Sequence, residues 1–416
     1  MKRPDFRFKE IYMKQVEGGV CAAKGFKAAG VCCGIKKGST KNDLSLIFSE
    51  APASCAAVYT RNLVKGAPLT VTKNHIEDGK AQAVICNSGN ANTCNENGIE
   101  IAEQTCELVS KALGIKASDV VVASTGVIGQ KLDIKPIAAG IPELVSKLSV
   151  DGSDEAARGI MTTDTVKKET AFEFELGGKK CRIGGIAKGS GMIHPNMATM
   201  LVFITTDAAI SSGMLKKALA DVVPQTFNMI SVDGDTSTND FLTVLANGAA
   251  GNKEITKDGE DFKAFEGALL KVASVLCRKI ASDGEGATKL IECIATGAPT
   301  KEDAVKAVKS VISSSLVKAA MFGEDANWGR ILCAIGYSGA NVDPDAIDVS
   351  FKSAAGTVTV CKKGKGVDFS EEKAAKILAE KEITVDVSLG GGSASATAWG
   401  CDLTYDYVKI NGDYRT

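Results

Sequence analysis

The sequence predicts an α+β fold, a layered α/β sandwich in which mixed sheets are covered by helices. Three observations carry this expectation. In the first half, short apolar runs end in glycine- and asparagine-rich turns. In the second half, two long stretches place apolar residues every three or four positions. Toward the C-terminus, alternating apolar and polar residues return.

Taken in chain order, AAVYT (56–60), QAVICNSGN (82–90) and DVVVASTGVIG (119–129) read as strands that close in small polar residues. AEQTCELVSKAL (102–113) and IPELVSKL (141–148) carry helical patterns between and after them. EDFKAFEGALLKVASVLCRKIA (260–281) and KEDAVKAVKSVISSSLVKAAMF (301–322) repeat with the helical period. The second opens on Thr300 followed by Glu302 and Asp303, a capping residue and acids suited to a helix start. IDVSFKSAAGTVTVCKKG (347–364) and EITVDVSLGGGSASATAWGCDLTYDYVKI (382–410) are expected to be strands. No fixed-period repeat, long linker or low-complexity tract interrupts the 416 residues.

Composition narrows the function classes. Hydrophobic residues make up 44% and charged residues 24%, with a formal net charge of -1, so no basic face for nucleic acid is advertised. The opening stretch, MKRPDFRFKEIYMKQVEGG, is too charged for a signal peptide. No run approaches the ~18 apolar residues of a membrane span. A cytoplasmic chain with neither nucleic acid nor membrane as partner is the expectation. The thirteen cysteines include no C-x-x-C pair, and many sit in apolar stretches, as do Cys277 and Cys333. They read as reduced thiols packed as small hydrophobes. His75 and His194 are the two histidines, and no H-E-x-x-H occurs. A general base, if one is needed, is therefore expected to be something other than histidine.

Neither a P-loop nor a G-x-S-x-G elbow is present, and GEGATK (284–289) follows a helix rather than a strand. Four polar turns remain: Asn87–Asn92, Ser124-Thr125-Gly126, Met161–Thr165, and KGSGMIHPNMATMLVFITTDA (188–208). Taken alone, the first three read first as turns or capped loops, and all four sit where functional groups gather. A glycine after VVVAST lets backbone N–H groups turn toward a ligand oxygen, the way oxyanion holes are built.

Thr199 stands between a glycine-rich lead-in and the apolar run MLVFI. As a strand residue it needs no explanation. As a nucleophile it needs a base, and an N-terminal threonine supplies its own: an α-amine with a pKa of about 8. That route requires the Ala198–Thr199 bond to be cut, by attack of the Thr199 hydroxyl on the preceding carbonyl. The small Ala198 and the flexible Gly189-Ser190-Gly191 suit such a turn.

This stretch resembles the signature of the bifunctional ornithine acetyltransferase/N-acetylglutamate synthase family of arginine biosynthesis. STGVIG, IMTTDT, SVDGDTSTND, SDGEGATK, FGEDANWGRI, ATAWGCDLTYDYVKIN and NGDYRT resemble the same family, in the same order. The resemblance implies a self-cleaving fold of the threonine N-terminal-nucleophile type, with residues 1–198 as an α chain and 199–416 as a β chain. It places the nucleophile at Thr199 and the oxyanion hole at Thr125 and Gly126. Substrate contacts fall on Thr162 (with Thr163 beside it), Lys188, Thr199, Glu285, Asn411 and Thr416. Lys188 suits an α-carboxylate, Glu285 an amine, and Asn411 and Thr416 hydrogen bonds from an ordered tail.

The same resemblance implies transfer of acetyl from N2-acetylornithine to glutamate, with acetyl-CoA as a further co-substrate and no metal or organic cofactor. The two chains would pair as α2β2. Asp233, Asp235 and Asn239 lack the EF-hand spacing and read as structural or site-lining. Trp328 looks like a buried aromatic, with Asn327 and Arg330 behind the site. His194 is the alternative general base. The alternative reading is a threonine amidohydrolase or aminopeptidase in which water resolves the acyl-enzyme; a non-catalytic binding protein, intact at 198–199, is the other.

Overall fold

The computed structural model describes residues 13–194 and 200–413. Ala198, Thr199 and Thr416 lie outside the described residues. Two mixed sheets organise the chain, as the alternation of patterns predicts.

The first sheet takes most of its strands from the N-terminal half: β1 (Lys14–Val16), β2 (Phe26–Val31), β3 (Leu44–Tyr59), β4 (Lys80–Asn90), β5 (Val120–Val127), β6 (Lys168–Leu176) and β7 (Lys179–Lys188). β8 (Leu201–Thr206) joins it and, after the short β9 (Ile230–Ser231) of the other sheet, so does β10 (Phe241–Ala246). The strand order is β1-β6-β7-β8-β10-β3-β4-β5, with β2 on β3. β8 is central. It runs antiparallel to β7, with Lys188 opposite Leu201, and parallel to β10, with Leu201 level with Phe241. All six of its residues are buried, as a strand covered on both faces requires.

Helices α1 (Ala67–His75), α2 (Gly98–Leu113) and α3 (Ile134–Ser146) pack around β2–β5 through Val71, Ile101, Val109, Ile137 and Leu144. α4 (Ser153–Gly159), α5 (Ser212–Val222) and α6 (Glu260–Ser282) follow. α6 carries Phe262, Phe265, Leu269, Val272, Leu276 and Ile280 into a core that spans both sheets, reaching Phe174 and Ile204 in one and Ile291 and Val385 in the other.

α7 (Lys301–Ser313), α8 (Ser315–Phe322), α9 (Trp328–Gly336) and α10 (Glu371–Leu378) add to this core. The second sheet holds β9 with β11 (Leu290–Ala298), β12 (Asp348–Ser353), β13 (Gly356–Lys362), β14 (Lys365–Gly366), β15 (Glu382–Ser388) and β16 (Ala394–Cys401). It is one-sided: Ile383, Val385 and Val387 are buried while Glu382, Thr384 and Asp386 alternate with them toward solvent.

Two element expectations change. The pattern over 301–322 is two helices, because Ser314 turns the chain and its hydroxyl accepts the Val317 N–H at 3.3 Å, starting α8 afresh. The end of the last predicted strand, from Tyr405, is instead α11 (Tyr405–Asp413). The Thr404 hydroxyl accepts the Tyr407 N–H at 3.4 Å, which starts the helix. Thr300 caps α7 as read, accepting from Asp303 N–H at 3.1 Å. The cysteines are free thiols and eight are buried, Cys277 among them; Cys333, on the outer side of α9, is exposed.

Candidate active site

The end of β5 and the start of β10 are stitched into one frame. Gly126 has φ +129°, and a Cβ there would lie 2.4 Å from the Gly89 carbonyl carbon and 2.6 Å from the Asn90 nitrogen, so glycine alone fits. Asn239 binds the frame from the other side. Its Nδ2 donates to the carbonyls of Ala91 (2.6 Å) and Ser124 (3.0 Å), and its Oδ1 accepts from the hydroxyls of Thr93 and Thr238 at 2.6 Å each. The Ser124 hydroxyl donates to Asn87 Oδ1 at 2.6 Å. Asn87–Asn92, expected as a turn, is instead the paired end of β4 through Asn90 and the two residues after it, and it holds Thr125 and Gly126 in place.

Thr125 shares a narrow cleft with Lys188, Gly191, Met200, Asn239 and Asp240. Lys188 is the last residue of β7 and is buried; its Nζ makes no hydrogen bond to another described residue. Asp240 is fully buried beside it, and among the described residues its Oδ2 has no hydrogen-bond partner. Burial drives the Asp240 carboxyl well above the ordinary range, an effect the Lys188 ammonium opposes without reversing. Phe241 N–H donates to Met200 O at 2.8 Å, which anchors the head of β8 against Asp240.

Glu285 and Asn411, from distant parts of the chain, meet directly: Asn411 Nδ2 donates to Glu285 Oε2 at 2.8 Å. The Glu285 carboxylate abuts Gly191, where a Cβ would lie 2.4 Å from its carboxyl carbon. Gly191 is therefore the shared wall between this pair and the cleft. The Thr162 N–H donates to Asp164 at 3.0 Å, and the same carboxylate accepts the Gly189 N–H at 2.7 Å. Thr162 and Thr163 are both half-buried.

The lead-in is held on its near side. Asp233 accepts the N–H groups of Met192 (2.6 Å) and Ile193 (2.9 Å), and the Thr236 hydroxyl donates to the His194 carbonyl at 2.7 Å. The His194 ring pairs through Nδ1 with the Ser231 hydroxyl at 3.0 Å. Burial, with Lys309 nearby, brings its pKa down to about 4, so the ring is neutral at pH 7.

Two placements differ from expectation. Asp235 is exposed, and Asp240, five residues on, lines the cleft in its stead. FGEDANWGRI lies elsewhere: Trp328 is half-buried over Gly366, Asn327 caps α9 by accepting from Arg330 N–H at 3.1 Å, and Arg330 donates to Leu316 O at 2.8 Å. The sequence reading also missed Asp164, Lys168, Asp240 and Asp283. Asp164, Asp240 and Asp283 fall inside motifs already singled out (IMTTDT, SVDGDTSTND and SDGEGATK), which was the available signal, whereas Lys168 lies in none. Among the described residues, no cluster of metal-ligating side chains was found.

The model of the ArgJ family matches residues 27–416. An arginine biosynthesis bifunctional protein ArgJ from Symbiobacterium thermophilum is 52% identical over 406 residues, spanning 97% of this chain and 100% of that one. ArgJ 1 from Clostridium acetobutylicum is 52% identical over 392 residues, spanning 94% and 96%. Among solved structures, ornithine acetyltransferase from Mycobacterium tuberculosis, complexed with ornithine, is 40% identical, covers 45% of this chain and 100% of its own, and has a TM-score of 0.41. With a family match over nearly its whole length and relatives identical at half their positions, this chain belongs to the ArgJ family.

Proposed function

We propose that this acetyltransferase of arginine biosynthesis moves the acetyl group of N2-acetylornithine to glutamate through an acetyl ester on Thr199. The convergence of Thr125, Lys188 and, across Gly191, the Glu285–Asn411 pair beside the head of β8 is the observation that supports the site.

In this proposal the Thr199 hydroxyl first attacks the Ala198 carbonyl carbon. The C–N bond breaks, an ester forms, and water hydrolyses it to leave chains 1–198 and 199–416. The freed α-amine of Thr199 then takes the hydroxyl proton as the oxygen attacks the acetyl carbonyl. Thr125 and Gly126 hold the oxyanion, a contribution of about 3 kcal/mol per donor. As the intermediate collapses, the amine returns the proton to the departing ornithine nitrogen. Glutamate attacks the acetyl ester in turn. Lys188 receives the substrate α-carboxylate and Glu285, steadied by Asn411, its ammonium group. Thr162 and Thr416 are assigned the remaining substrate contacts.

No metal or organic cofactor enters these steps. Acetyl-CoA is proposed as a second donor to the same Thr199, and the cleaved chains as an α2β2 assembly in the cytoplasm. Among the described residues no helix is long and apolar enough to cross a membrane.

Intact mass and a denaturing gel test the cleavage. Two fragments, one beginning at Thr199, are expected, and Thr199→Ala should remain whole and inactive. A single full-length active species sinks the proposal. Acetylornithine with glutamate, acetyl-CoA with glutamate, and acetylornithine alone then separate transfer, synthesis and hydrolysis. Acetate release without acetylglutamate formation would point to the amidohydrolase alternative.

A further inference from the structure

Lys168, the first residue of β6, is 0% exposed. Its ammonium group bridges two carboxylates, Asp164 Oδ1 at 2.6 Å and Asp283 Oδ2 at 2.5 Å, and also approaches the Val166 carbonyl at 3.4 Å. Each carboxylate then reaches main chain. Asp164 accepts N–H groups from Thr162 and Gly189. Asp283 accepts from the N–H groups of Thr165 and Val166 and from the Thr165 hydroxyl. The Ser190 hydroxyl donates to the Asp283 carbonyl at 2.7 Å, and the Glu285 N–H donates to Ser190 O at 3.1 Å.

Three segments meet at this one ammonium group: the loop with Thr162, the end of β7 with Lys188 and Gly189, and the turn after α6 with Glu285. They are the segments to which the functional reading assigns substrate contacts. Burying one cation and two anions is costly, and an apolar cluster of the same volume would hold a fold at least as well. What an apolar cluster lacks is directional acceptors for N–H groups from separate segments. Burial by itself raises the Asp164 carboxyl; the ammonium groups of Lys168 and Lys188 reverse this and hold it well below the ordinary range, so it stays an acceptor.

We infer that Lys168, through Asp164 and Asp283, is a positioning residue that sets the separation of Lys188 and Glu285 and so the fit of the amino-acid substrate. The inference rests on the reading that Lys188 and Glu285 hold substrate.

The test compares Lys168→Met and Asp283→Asn with wild type, Lys188→Met and Glu285→Gln, measuring KM for acetylornithine, kcat, self-cleavage and Tm. In the two clamp variants KM is expected to rise about 10-fold or more with kcat nearly unchanged, the signature of binding lost equally from ground and transition states. A folded Asp283→Asn protein with wild-type KM overturns the inference. Unaltered KM in Lys188→Met and Glu285→Gln overturns the functional reading instead. Hydrogen exchange on the wild-type enzyme covers the case in which both clamp variants fail to fold. Adding ornithine should protect the amides of Thr162, Thr165 and Gly189 together, and protection at Gly189 alone overturns the coupling.

Discussion

Thr125 lines a cleft that it shares with, among others, Lys188 and Asp240. Thr125→Ala removes a donor without disturbing the Gly126 backbone, so kcat should fall about 100-fold while Tm stays near wild type. Unchanged kcat would leave the hole to other groups. Asp240 carries a pH signature. Burial raises its carboxyl above the unfolded value, so the folded state keeps this proton to higher pH than the unfolded chain does. Its contribution is therefore fully favourable below about pH 4, the unfolded carboxyl range, and is lost as pH rises through the elevated folded value. Asp240→Asn abolishes this dependence, and its Tm relative to wild type should climb as pH increases from that range. Thermal melts from acid to neutral pH check the sign, and a flat difference would place Asp240 outside the buried acid role.

Among the elements, β8 and the 301–322 region make contrasting predictions. Phe203 is buried in β8 and meets Phe241 edge-on, with ring centroids 6.2 Å apart. Phe203→Ala should cost about 3–5 kcal/mol, read from urea unfolding, because neighbours on both faces of the strand prevent collapse of the cavity. Ser314→Ala removes only the cap of α8 and should cost about 1 kcal/mol. The helical period over 301–322 was legible and its interruption was not. A serine inside a periodic run becomes a cap only when the following helix takes a new direction. Likewise YDYVKI alternates as a strand would, and the Thr404 hydroxyl turns it into a helix.

For the whole molecule, the proposed cleavage after Ala198 would divide the sequence but not the fold. β7 ends at Lys188 in the N-terminal part, yet its antiparallel neighbour is β8, and α6 packs over β6 and β7. Residues 1–198 expressed alone are therefore expected to lack cooperative unfolding, since the β7 edge and the shared core lose their cover. After cleavage the fragments should co-elute in native gel filtration and separate in denaturant. A stably folded 1–198 fragment would contradict this interlocking.

The residues by themselves determined the layered α+β class, because strand and helix periods are local properties of the chain. The scarcity of histidine and the glycine-closed strand end made Thr199, Thr125 and Gly126 candidates beside their plain reading as strand and turn residues; it is the family resemblance that implies their roles and those of Lys188, Glu285 and Asn411. Only the tertiary structure decided that Glu285 and Asn411 touch, across 126 positions of sequence. It alone revealed the Lys168 clamp as well. Lys167 and Lys168 are indistinguishable in VKKE, but Lys167 stays half-exposed just before the strand while β6 opens with Lys168 turned into the interior, where Asp283 meets it. Buried charge is invisible to composition and period, since its partners are supplied by chain segments that only folding brings within hydrogen-bond range.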